Sequence, residues 1–145
     1  MKMNPKEYDE LTKKASPGSK TLVNVPMAFL FGGIICVIGQ LLLDMYEGFG
    51  FDKLAAGAWT SITLVVASAI LTGLGWYPKM AKHGGAGTLV PITGFANAVV
   101  SPAMEFRAEG WVTGLGVKIF TIAGPVILYG AAASFIYGLI YYFFS

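Results

Sequence analysis

Four stretches of the chain carry no charged side chain, and each is long enough to cross a membrane. They are residues 21–43, 54–78, 84–104 and 119–145. A charged group at the bilayer centre costs about 2.5 to 3.5 kcal/mol on insertion scales, and a helix of about 20 residues crosses the hydrocarbon layer. The composition agrees: 55% of residues are apolar, 12% are charged and the mean hydropathy is +0.65. A water-soluble domain of 145 residues cannot hide that much apolar surface in one core. A soluble enzyme and a disordered chain are thereby excluded. A net charge of +2 is too weak for phosphate-driven binding of nucleic acid. One cysteine and one histidine rule out a disulfide framework and the usual zinc sets. Neither a metal nor a cofactor is expected.

The fold expected is all-α: a polytopic integral membrane helical bundle with about four hydrophobic segments, one of them discontinuous or re-entrant. Residues 1–20 read as a solvated amino-terminal arm, with Ser16-Pro17-Gly18 near its end, and 21–145 as the transmembrane domain. The first span is expected from Pro26 to about Leu43. The second is framed by Trp59 and by Trp76-Tyr77, a spacing that suits interfacial aromatic belts. The stretch after Trp111 is too long for one simple span, and Gly124-Pro125 offers a break within it. A cleavable signal peptide is not expected, because the first apolar run is too long and three acids precede it.

The third run differs from the others. It holds Gly84, Gly85, Gly87, Pro91, Gly94 and Pro102. Proline removes a backbone donor and glycine weakens a helix. In hydrocarbon, freed backbone groups survive only inside protein or beside water. Residues 84–104 therefore read as a broken segment lining a cavity; the plainer alternative is an ordinary helix that tolerates its glycines. Thr88, Thr93, Asn97 and Ser101 are its polar side chains, suited either to a hydrophilic path or to capping broken backbone. Glu105, Arg107 and Glu109 follow as a charge cluster. In a helix the two glutamates share a face and repel, so they suit a cation contact or gate, or else a solvated turn. Lys118 is either a snorkelling anchor or an anion contact.

Other polar and small residues carry less. His83 reads as a surface turn residue and Cys36 as a small buried apolar one. Gly32, Gly33 and Gly39 permit close helix approach, across which Gln40 can hydrogen-bond. The tetrad Thr-Gly-Leu-Gly occurs at 72–75 and 113–116, an echo of an inverted repeat or a coincidence of small residues. The lysines at 2, 6, 13, 14 and 20, and Lys79, Lys82 and His83, place the amino terminus and the 79–83 turn in the cytoplasm. Asp44, Glu47 and Asp52 fall on the other side. No nucleophile–base pair is recognisable, so an enzyme is not expected.

Three segments resemble a known family. Ala28-Phe-Leu-Phe-Gly-Gly-Ile-Ile-Cys-Val-Ile-Gly-Gln40 is similar to the first span of the stage V sporulation protein AC/AE family. Gly85-Ala-Gly-Thr-Leu-Val-Pro-Ile-Thr-Gly-Phe-Ala-Asn97 and Ala103-Met-Glu-Phe-Arg-Ala-Glu-Gly110 are similar to its central signature. The resemblance runs in register over roughly 24–140, and the longer arm is closer to the AC type than to the shorter AE type. It implies a membrane component of endospores, in the inner (forespore) membrane. Its implied cargo is dipicolinic acid with calcium, taken up during sporulation and released at germination, with tension-gated channel behaviour for the AC type. Implied partners are the AE-type membrane paralogue and a soluble AD protein that binds dipicolinate. No catalytic residues are implied.

Such cargo needs a polar route, because an isolated buried carboxylate costs on the order of tens of kcal/mol. Moving two charges through about 100 mV involves about 4.6 kcal/mol, which a neutral calcium chelate avoids. Helices packed at about 8 to 10 Å leave no lumen for an aromatic diacid. The chain is therefore expected to work as an oligomer or beside paralogous subunits, either as part of the conduit or as an anchor for the soluble partner.

Overall fold

The structure is a computed structural model that describes Asn4, Tyr8, Asp9, Leu11, Thr12 and residues 20–144. Lys2, Lys6, Lys13, Lys14 and the Ser16-Pro17-Gly18 segment of the expected arm lie outside the described residues. The described chain is helical: α1 (Thr21–Gly48), α2 (Lys53–Gly73), α3 (Tyr77–Gly84), α4 (Ala86–Leu89) and α5 (Ile92–Glu105) come first. A 3-10 turn (Phe106–Glu109) and a π turn (Trp111–Gly116) then lead into α6 (Val117–Phe144). Three helical stretches are long and apolar enough to cross a membrane: Thr21–Gly48, Lys53–Gly73 and Trp111–Phe144. The protein is a polytopic helical membrane protein.

α1 and α2 form a helical hairpin. Their connection is the four residues 49–52, so the helices lie side by side in opposite directions. The Asp52 carboxylate caps α2 by accepting from the Leu54 N–H at 3.2 Å. Tyr46 at the end of α1 bonds Thr63 of α2 at 2.7 Å and gathers Phe49, Phe51 and Trp59 around its ring. α1 runs past its expected ends at Pro26 and Leu43, because neither glycine nor proline interrupts 21–25 or 44–47.

The broken run lies against this hairpin. Gly85 takes φ +49°, a backbone angle that favours glycine, and separates α3 from α4. Pro91, with φ −63° and ψ 163°, separates α4 from α5. α4 packs on α1, and α5 packs along α2, the most extensive helix pair in the fold. Glycine makes the first contact possible: a Cβ on Gly87 would collide with the Ala28 carbonyl, and one on Gly32 would sit 3.4 Å from the Gly87 backbone. Gly94 serves the break itself, since a Cβ there would strike the carbonyls of Thr88 and Leu89.

Several expectations are corrected. Gly124-Pro125 does not break the last helix, and α6 runs through it without interruption. Proline is tolerated in a membrane helix where neighbouring helices, hydroxyls, water or small backbone adjustments re-satisfy the groups it frees. Pro102 likewise lies inside α5. The true interruption is at Gly110, with φ +108°, between the 3-10 and π turns. Cys36 is exposed, since the outer face of a span meets lipid and needs no protein cover. Gln40 donates to Asp44 on its own helix at 2.8 Å, because a carboxylate one turn away is nearer than any group across the helix contact. The two Thr-Gly-Leu-Gly tetrads differ: one closes α2 with Gly75 at φ +72°, the other lies in the π turn.

Gly87→Ala is expected to lower thermal stability in detergent by about 1 to 3 kcal/mol through overpacking. Gly33→Ala, whose Cβ would meet nothing within 4 Å, should leave it unchanged or raise it. Equal melting temperatures for the two variants would contradict the α1–α4 contact.

Candidate functional site

The break at Val90–Pro91 withdraws helical donors from the carbonyls before it, because Pro91 has no N–H and Ile92 starts a new helix. A side chain from the preceding helix supplies the replacement. Tyr77 is buried, with 2% of its surface accessible, although it was expected at the interface; its neighbour Trp76 is 58% exposed. The Tyr77 hydroxyl donates to the Thr88 carbonyl at 2.7 Å. It also lies 2.9 Å from Thr93 Oγ1. A hydroxyl has one proton, so the second bond is satisfied by Thr93 donating to the Tyr77 oxygen.

α2 continues the network. Ser68 Oγ donates to the Thr93 carbonyl at 2.6 Å. Thr72 Oγ1 lies 2.8 Å from the Ser68 carbonyl and 3.0 Å from Asn97 Oδ1. Its single proton serves one of them, and both contacts are satisfied when the Asn97 amide is turned to donate from Nδ2. The Thr88 hydroxyl closes on the Gly85 carbonyl at 2.9 Å. Among the described residues, no buried side-chain nitrogen or oxygen lacks a partner. A cavity of about 140 Å³ adjoins the network, walled by Ile35, Ile38, Leu64, Leu71 and Met80. It is small and largely apolar, so it offers no through-route for a dianion.

The sequence-predicted residues thus divide. Thr88, Thr93 and Asn97 come together with Ser68, Thr72 and Tyr77. Ser101 and Glu105 continue along α5 from Asn97 at four-residue steps and are exposed. Thr93, Asn97, Ser101 and Glu105 therefore form one polar stripe that passes from buried through half-buried to open. Arg107 and Glu109 are exposed on the 3-10 turn. Three residues per turn there set Glu109 off the face that Glu105 occupies, so the shared face expected of a continuous helix is not formed. Lys118 places its Nζ 3.8 Å from the Phe106 ring centroid, a cation–π contact that ties α6 to the turn. Gly114 allows the two turns to pack, since a Cβ there would collide with the Phe106 carbonyl.

A family model described as SpoVAC/SpoVAEB sporulation membrane protein matches residues 24–140. The chain belongs to this family. Among curated proteins it is similar to Stage V sporulation protein AC of Bacillus subtilis (strain 168), at 43% identity over 139 residues. That alignment covers 95% of this chain and 93% of the relative. No solved structure matches. The SpoVAC/SpoVAEB match contains the whole hydroxyl network, the polar stripe and Lys118.

Ser68, Thr72, Tyr77, Phe106 and Gly110 escaped the reading of the sequence. A signal existed for the first two: Thr60, Ser68 and Thr72 are spaced at multiples of four along α2, and all three are buried. Tyr77 gave none, because a tyrosine beside a tryptophan at the end of a span is the usual interfacial pattern.

Tyr77→Phe removes the donor to the Thr88 carbonyl without changing shape. It is expected to cost about 1 to 3 kcal/mol, the penalty for an unsatisfied buried acceptor. Trp76→Phe should stay within about 0.5 kcal/mol, as for other exposed positions. Thermal unfolding of both purified variants checks this, and parity between them would show the Tyr77 bond to be idle.

Proposed function

We propose that the chain is a membrane subunit of the conduit for dipicolinic acid, with calcium, across the inner membrane of the spore. It serves uptake during sporulation and release at germination. The observation that carries this reading is the polar stripe of α5. Ser101 and Glu105 lie on an open face of a membrane protein, reached through the half-buried Asn97, where contact with acyl chains is costly. A wet passage shared with a neighbouring subunit removes that cost. The cavity beside the hydroxyl network is too small to be the passage, so the route lies between chains: other copies or the AE-type paralogue, with the soluble AD protein as dipicolinate-binding partner. Lys20, Lys79, Lys82 and His83 mark one end of the α1–α2 hairpin and Asp44, Glu47 and Asp52 the other, which supports a cytoplasmic amino terminus.

Asn97→Leu and Glu105→Ala should each reduce dipicolinate accumulation in spores, or slow its release, while membrane insertion persists. Assay of spore dipicolinate and of its release on germination checks this; normal uptake and release in both variants would remove the stripe from the route.

A second reading is supported by the complete internal pairing of the buried hydroxyls, which leaves the chain a closed unit. In it the chain anchors the soluble partner and another protein conducts. Reconstitution separates the two. Dipicolinate efflux from liposomes holding this chain and its membrane paralogue favours the conduit. Silent liposomes that still recruit the soluble partner favour the anchor.

A further inference from the structure

A second feature lies at the lysine-bearing end of the hairpin, apart from the stripe. A cavity of about 320 Å³ opens between the start of α1 and the α3–α4 junction. Its lining combines polar Asn24, Lys82 and His83 with apolar Val25, Ala28 and Ala86. The His83 ring is held by its Nδ1–H, which donates to the Lys79 carbonyl at 3.0 Å and leaves Nε2 as an acceptor. No acidic residue occurs in 21–43 or in 54–104, so nothing on the adjoining stretches of either wall neutralises Lys82. Val25 is 61% exposed, on the same helix face region as the mouth of the cavity, and Leu22 beside it is 92% exposed. The pocket therefore borders the lipid-facing surface of α1 at the level where the spans end.

We propose that this pocket seats the phosphate headgroup of an anionic phospholipid. Lys82 supplies positive charge, the Asn24 amide supplies a donor, and Val25 with Ala28 accepts the first methylenes of an acyl chain. Basic pockets beside transmembrane helices hold anionic headgroups in this manner. A small soluble anion would use the charges and leave the apolar wall idle, which is why the lipid is the better fit.

The test titrates purified full-length protein in neutral detergent with dioleoylphosphatidylglycerol or dioleoylphosphatidylcholine and reads retained lipid by native mass spectrometry. Preferential retention of phosphatidylglycerol is expected. Lys82→Gln should weaken it about fivefold, equivalent to about 1 kcal/mol for one cation near a headgroup. Lys53→Gln, at the opposite end of the hairpin, should change it less than about twofold. Lys82 is exposed, and an unchanged circular dichroism spectrum checks that its replacement leaves the fold intact. Equal retention of the two lipids, or equal losses for the two variants, overturns the proposal. Displacement of the lipid by millimolar inorganic phosphate also overturns it, by marking a site for small anions.

Discussion

A carbonyl without a donor inside the hydrocarbon layer costs several kcal/mol, and the break at Val90–Pro91 creates that problem against the wall of the bundle. The fold answers it with hydroxyls. Tyr77 donates to the Thr88 carbonyl, Ser68 donates to the Thr93 carbonyl, and Thr72 joins Asn97 to the same chain of bonds. These bonds require α5 to lie along α2, and they require α4 to lie against α1 where Ala28, Gly32 and Gly87 let backbone meet backbone. Glycine-mediated packing of α4 on α1 and the interhelical hydroxyl bonds together hold the broken run in place.

This explains which parts of the fold could be read in advance. Charge-free length identifies spans without knowledge of packing, so α1, α2 and the final helical stretch were legible as elements. The interruption of 84–104 was legible too, since its glycines and prolines are crowded together and weaken a helix at several points in one short run. Other outcomes depended on neighbours. Pro125 looks like Pro91 on paper, yet α6 stays continuous through it while the chain breaks at Pro91. Tyr77 and Trp76 are adjacent and chemically alike, yet only one turns inward to meet the break. Gly110 was hidden by the charges around it, which drew attention to the glutamates rather than to the backbone.

The site was half legible for a similar reason. Thr88, Thr93 and Asn97 were identifiable as polar groups in an apolar run, but their partners sit on α2 and α3, in segments that read as ordinary span. The stripe from Thr93 to Glu105 emerges only once α5 is a helix starting at Ile92, because that start fixes which residues share a face. Its inner members are absorbed by the fold and its outer members are left over. The surplus polarity faces away from the chain's own core, and the proposed passage of a charged solute rests on it.

On the proposed reading the polar groups of the broken run avoid acyl chains in two ways: the inner ones by bonding within the protein, the outer ones by meeting water. Thiol labelling in membranes of sporulating cells tests both at once. With Cys36 replaced by alanine, single cysteines are placed at Val90, Ala96, Ser101 and Glu105 and treated with a water-soluble maleimide. Labelling at 101 and 105, with 90 and 96 silent, is the expected pattern. Silence at all four positions would put the stripe against lipid and contradict the role assigned to it.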